Sequence, residues 1–309
     1  MTKHRLWWLA ALALPAGLAA SQTNNPAGAQ AAPWLLISNN SRQAAMGDVW
    51  VATADDADGL GEAPAALARA QGQELDAGQN EWLQGVGVSH LAYAAGLVQG
   101  GALGLGVNYV NVGSVDRYTV SGGALVADGS ANPSAYDLDL GWGQDVGMGL
   151  GLGVDVKSVT EDLDGADASA VAFDASAQWD SAMGLKAGVA AQNVGSQLGG
   201  ADLPDRVVAG LAYAFGAEAD APDPYALAVD VDMPSNGDVS VGVGGEAWLN
   251  QVLALRLGYH SNDAGTNDLA VSGITAGLGV KASWLEIDYA YRAQGDLGMA
   301  NQFSVKTKF

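Results

Sequence analysis

From about residue 72 to residue 309 the chain is a succession of roughly ten-residue segments in which apolar side chains take every second position. A period of two sends successive side chains to opposite faces of a strand, so each segment has one apolar face. Leu103, Leu105, Val107 and Tyr109 alternate with Gly104, Gly106 and Asn108; Tyr136, Leu138, Leu140 and Trp142 alternate with Asp137, Asp139 and Gly141. Leu150, Leu152, Val154 and Val156 alternate with Gly151, Gly153, Asp155 and Lys157. The same pattern recurs around Asp174, Lys186, Asp230, Asp232, Arg256, Glu286 and Asp288, up to Phe303, Val305, Thr307 and Phe309. Over roughly forty apolar-phase positions, about six charges are expected by chance for a chain that is 15% charged, and none occurs. A soluble sandwich or propeller would carry charge on its solvated face, and no period of 20–50 residues marks a propeller.

Such a split suits lipid on one side and a polar lumen on the other, the arrangement of an outer-membrane β-barrel. Aromatic residues near segment ends (Trp142, Trp179, Phe215, Tyr225, Trp248, Tyr259, Trp284, Tyr291) are placed as interfacial girdles would be. Short connections at 99–101, 144–145, 180–182, 250–251 and 282–283 alternate with longer ones at 113–133, 161–168, 194–203, 261–269 and 293–300. Pro234 to Gly237 is shorter, and 216–224 longer, than this alternation requires. The expected fold is all-β, a transmembrane antiparallel β-barrel of about fourteen strands over 72–309.

Residues 1–21 read as a cleaved signal peptide: Lys3, His4 and Arg5 precede an apolar run from Leu6 to Leu14, and small residues follow. The expected location is therefore the bacterial outer membrane. Residues 22–71 form a lead-in and an irregular stretch, with a short helix expected from Pro64 to Ala70. No other segment approaches the roughly 20 apolar residues of a spanning helix.

Composition narrows the function. The absence of Cys excludes disulfide scaffolds, thiol nucleophiles and Cys-based metal sites. A formal net charge of −21 argues against nucleic acid as a partner. Among His4, His90 and His260, none joins a recognisable catalytic motif, so no enzyme activity and no cofactor are expected. Asp162, Asp164 and Asp167 open like a calcium loop but lack its distal Glu, leaving them a weak metal candidate or simply an acidic loop. The acidity itself has two readings, a high-salt habitat or a negative lumen. Asp137, Asp139, Asp155, Lys157, Asp174, Lys186, Asp230, Asp232, Arg256, Glu286 and Asp288 are the expected lumen-lining residues.

Residues 41–67, SRQAAMGDVWVATADDADGLGEAPAAL, resemble the N-terminal region of PorV/PorQ-type outer-membrane proteins within the FadL-like barrel superfamily. Arg42, Met46, Gly47, Val51, Ala52, Asp55, Asp56, Pro64, Ala65 and Leu67 match, whereas Ala63 replaces the Asn of the family's Asn-Pro-Ala. NEWLQGV, QNVGSQLGGADLPDRVVAGLAY and LALRLGYH extend the likeness more weakly. The resemblance implies a fourteen-stranded barrel with an inward-folded N-terminal hatch carrying Arg42, Met46, Gly47, Asp55, Asp56, Pro64 and Ala65. Asp55, Asp56 and Asp58 would then lie near the lumen, or else in a solvated Asx turn. It also implies a secretion-associated (type IX-like) shuttle or attachment component, whose partners would be a translocon and cargo proteins. The alternative is a FadL-like channel for small hydrophobic compounds. Outer-membrane lipid is an expected partner in both. Phe303 and the terminal Phe309 are the expected signal to the barrel assembly machinery.

Overall fold

The structure is a computed structural model that describes residues 30–98, 100–216, 224–261 and 273–309. The expected signal peptide lies outside these residues. Fourteen strands close into one antiparallel barrel: β1 (Gln73–Glu81), β2 (Gly87–Gly96), β3 (Ala102–Asn111), β6 (Ser134–Asp145), β7 (Leu150–Asp162), β8 (Asp167–Asp180), β9 (Leu185–Gly195), β10 (Arg206–Phe215), β11 (Tyr225–Pro234), β12 (Ser240–Leu249), β13 (Leu253–His260), β14 (Ile274–Ala282), β15 (Leu285–Ala293) and β16 (Met299–Lys308). Each strand pairs with its barrel neighbours, and β16 closes on β1 from Glu74 opposite Lys308 to Glu81 opposite Asn301. Closure removes both edges of this sheet, the condition for its strands to cross lipid without stranded backbone donors.

The connection 113–133, expected as a plain loop, carries a separate hairpin, β4 (Val115–Ser121) with β5 (Ala124–Ala131). Its alternation is short and its residues are exposed on both faces, so it gave no one-sided pattern to read.

The two phases separate as the alternation requires. Leu105, Leu140, Phe173, Leu227 and Leu257 stand exposed on the outer face, an apolar belt that only lipid satisfies. Asp137, Asp155, Asp174, Asp230, Arg256 and Asp288 are buried on the inner face. The strands therefore form a transmembrane barrel. One end holds Gly72, Phe309 and the turns 97–101, 146–149, 181–184, 250–252 and 283–284; the other holds the β4–β5 hairpin and the connections 163–166, 196–205, 235–239 and 294–298. They are called the terminal end and the loop end below.

Residues 31–71 run inside the barrel from the loop end to the terminal end. Ala31 N donates to Asp202 O at 2.9 Å at one end, and Gln73 N donates to Phe309 O at 2.9 Å at the other. Between them lie one short helix, α1 (Ser41–Ala45), and 3-10 turns, including Pro64–Ala68 where a helix to Ala70 was expected. Asn40 starts α1 by accepting from the N–H groups of Arg42 at 2.6 Å and Gln43 at 3.1 Å.

Candidate functional site: a lumen divided by its inner segment

An irregular segment buried in a barrel must find partners for its backbone groups, because little water can serve them. The inward polar phase supplies them. The Asp230 carboxylate accepts from Trp50 N and Val51 N at 2.8 and 2.9 Å. The Glu74 carboxylate accepts from Ala57 N at 3.0 Å, and Ser176 Oγ accepts from Ala65 N at 2.7 Å. In the other direction, Gln178 Nε2 donates to Val51 O at 2.9 Å, Gln192 Nε2 to Glu62 O at 2.7 Å, and Thr275 Oγ1 to Ala45 O at 2.9 Å. Lys157 Nζ donates to Gly61 O and pairs with Asp174 at 2.8 Å.

Glycines on the same phase let the two backbones touch. A Cβ on Gly153 of β7 would land on the Pro64–Ala65 peptide, so the strand contacts the inner segment there through bare backbone. Gly47 has φ +74, and a Cβ there would lie 2.6 Å from Tyr259 O. Strings such as GLGLG are therefore both strand alternation and a docking face.

Side-chain ion pairs tie the segment to the wall. Arg42 makes a two-pronged contact with Glu246, at 3.0 Å through Nε and 2.9 Å through Nη2, and reaches Asp55 at 3.2 Å. Glu246 also receives Arg256 at 2.6 Å, and Arg256 pairs with Asp288 as well. Lys306 pairs with Asp56 at 2.6 Å and with Asp58; Lys308 reaches Glu74 at 3.0 Å. Arg292 pairs with Asp48. Burial pushes the Asp58 carboxyl well above its ordinary range, and the negative charges of Asp56 and Asp76 push the same way. Burial opposes the charge on Asp56 too, but the Lys306 ammonium, followed by Lys308, holds it below the usual carboxylate range. Burial raises Glu62. Burial works against the Arg42 charge as well, yet Glu246 and Asp55 keep its guanidinium firmly protonated.

The segment leaves two chambers, an outer one towards the loop end and an inner one towards the terminal end. The one towards the loop end, about 380 Å³, is lined by Trp34, Leu36, Ile37, Trp50 and Trp82, with Asp48, Arg206, Asp232, His260 and Arg292 among its polar residues. Arg206 pairs with Asp232 at 2.7 Å, and the Arg292 guanidinium lies 5.6 Å from the Trp82 ring centre. The one towards the terminal end, about 450 Å³, is lined by residues including Lys186, Ala212, Ala214, Ala226, Trp248, Lys281 and Lys308. A neck of about 20 Å³ separates them; Gln43 and Trp50 line both neck and outer chamber, while Arg42, Thr53, Asp55 and Asp56 line both neck and inner chamber.

No family model matches the sequence, and no curated protein does. The fold does have solved relatives. It is similar to the Pseudomonas putida toluene transporter TodX, with a TM-score of 0.61 and 12% identity over 89% of this chain and 99% of that one. It is also similar to the Ralstonia pickettii toluene transporter TbuX, with a TM-score of 0.60 and 13% identity over 87% of this chain and 98% of that one. A Pseudomonas aeruginosa FadL homologue matches with a TM-score of 0.54 and 11% identity over 88% of this chain and 98% of its own. The fold is FadL-like. Two of these neighbours are named as toluene transporters and the third as a FadL homologue.

The structure brings most of the singled-out residues to one place. Arg42, Asp55 and Asp56 line the neck; Met46, Pro64 and Ala65 are buried against the wall. Asp137, Asp139 and Asp155 gather around Lys157 on the inner face, with Asn108 Nδ2 donating to Asp137 at 2.7 Å. Lys186 and Glu286 line the inner chamber, and Asp230 and Asp232 the outer. Phe303 and Phe309 stand exposed, Phe303 beside Tyr289. One expectation needs correction. Trp248, read as a girdle residue, shares the inward phase of Glu246 and lines the inner chamber, with Arg256 and Lys281 within 5.5 and 5.8 Å of its ring centre. The loop acids are otherwise engaged: Asp164 pairs with Arg117 at 2.8 Å and Asp162 accepts from Gly165 N, and among the described residues no group of three such side chains is placed to hold a metal. The outer chamber's apolar lining was missed, because Trp34, Leu36, Ile37 and Trp50 belong to the irregular segment, where no periodicity marks a face.

Proposed function

We propose that this protein is an outer-membrane channel for small hydrophobic compounds, with residues 31–71 as the hatch that gates it. The aromatic lining of the outer chamber carries the reading: Trp34, Trp50 and Trp82 with Leu36 and Ile37 offer a broad apolar surface inside the lumen, beside the narrow neck. The FadL-like fold, and the toluene transport named for two similar structures, support it. Uptake of labelled toluene into liposomes holding the barrel should exceed uptake into empty liposomes, and Trp50→Ala with Trp82→Ala should reduce it. Equal rates with and without barrel refute the proposal. On this reading the signal peptide is cleaved on export, and Phe309 addresses the chain to the assembly machinery.

A second reading, a type IX-like attachment component, draws on the exposed β4–β5 hairpin, where Tyr118, Val120 and Leu125 offer an apolar surface for cargo or translocon. Against it, the motif residues Arg42, Asp56, Pro64 and Ala65 face the lumen, where a cargo domain does not reach them. Pull-down from native membranes separates the readings: repeated recovery of the barrel alone removes the second.

A further inference from the structure

The chain has six lysines, and the five beyond residue 30 are unevenly placed: Lys186, Lys281, Lys306 and Lys308 all line the inner chamber. In a protein of net charge −21 this is a local reversal of sign. Lys306 and Lys308 are committed to Asp56, Asp58 and Glu74. The chamber's own carboxylates are committed too, Asp55 and Glu246 to Arg42, and Glu286 to Arg256 at 3.5 Å. Lys281 is only loosely held, 3.8 Å from Glu286 with its side chain 46% exposed, and Lys186 has no ion pair among the described residues. The wall from Lys186 on β9 towards Lys281 on β14 carries Ala212, Ala214 and Ala226, then Glu246, opposite Ala226 and held by Arg42 and Arg256, and the Trp248 ring.

A largely apolar strip with an unpaired cation at one edge and a loosely held one at the other matches an apolar body bearing one negative charge. We propose that the inner chamber binds a small organic carboxylate, its apolar body on Ala212, Ala226 and Trp248 and its carboxylate on Lys186, with Lys281 as the second cation. A neutral hydrocarbon has no use for either ammonium, so this site goes beyond the channel reading. The cavity, about 450 Å³, falls within the roughly 300–1,000 Å³ range of small-molecule sites. The ion pair would be screened by salt, because the chamber's Lys281 and Lys308 side chains stand 46% and 42% exposed.

Calorimetric titration of the full barrel in non-ionic detergent with benzoate tests the site, with toluene and inorganic phosphate as probes of body without charge and charge without body. Benzoate should bind saturably, weaken at least tenfold in Lys186→Gln, weaken further in Lys186→Gln/Lys281→Gln, and weaken with rising salt; heat-modifiable gel mobility shows that the variants are folded. Absence of saturable benzoate binding in the wild type overturns the proposal. So does unchanged affinity in the folded double variant, or phosphate binding as tightly as benzoate. A barrel that moves no toluene yet binds benzoate through Lys186 loses the channel reading and keeps this one.

Discussion

Replacing Lys306 by Met tests whether buried charge holds the hatch shut. The Lys306 side chain is 4% exposed and is the cation shared by Asp56 and Asp58. Removing one partner of a buried ion pair costs about 3–5 kcal/mol, because the remaining charge is left unpaired. Lys308 stays within 3.6 Å of Asp56 and offsets part of this, so the expected loss of docking is about 3 kcal/mol, roughly a hundredfold in population. In planar bilayers the open probability of Lys306→Met should rise by about that factor. Adding Asp56→Asn and Asp58→Asn should bring it back down, since neutral amides carry no unpaired charge. An open probability within twofold of wild type, from a barrel that is folded on gels, refutes the reasoning. Acidification adds a signature. Asp58 is raised in the docked state, so its contribution is fully present below the ordinary carboxylate range and lost as pH rises through its docked value. Asp56 is depressed, so its contribution is present above the ordinary range and lost as pH falls towards its docked value. Opening should therefore be least at mildly acidic pH and increase on both sides.

Gly153→Val places a branched side chain on the Pro64–Ala65 peptide, and should expose the inner segment to protease while leaving the barrel heat-modifiable. Leu140→Arg puts a charge on the lipid face near mid-strand and should cost about 2–4 kcal/mol of folding stability, read by urea titration in lipid vesicles. Deleting Phe309 should lower the yield of folded barrel in cells, measured by gel mobility, with little effect on stability once folded.

The barrel was legible because its physics is repetitive. Leu138, Leu140 and Trp142 face lipid for the same reason as Leu255 and Leu257, so one rule applied along the chain recovers the whole wall. The inward acids were found by the same rule, but their work was not. Asp230 looks from its strand like a pore-lining charge, and only the structure shows it accepting two N–H groups from residues about 180 positions away. Partners at such separation leave no local pattern. Arg42, Asp55 and Asp56 were picked out through a family resemblance rather than through any periodicity. Trp248 was misplaced because its phase competes with a strand-end position that suits an aromatic equally well in lipid headgroups or in the lumen.

The course of residues 31–71 has a consequence for how the molecule can be assembled. The segment enters beside Asp202 and leaves beside Phe309, so it passes through the full height of a ring whose last ladder, β1 with β16, is also the ring's clasp. A closed ring cannot receive a bulky strand of chain sideways. The clasp must shut around a thread already in place, or the thread must be drawn in afterwards by its leading end. The second route would be blocked by any folded domain fused ahead of residue 31, whereas the first tolerates it if the domain emerges at the loop end. The order of closure and threading is thus written into the topology, and the size of an N-terminal fusion that still yields a sealed barrel measures it.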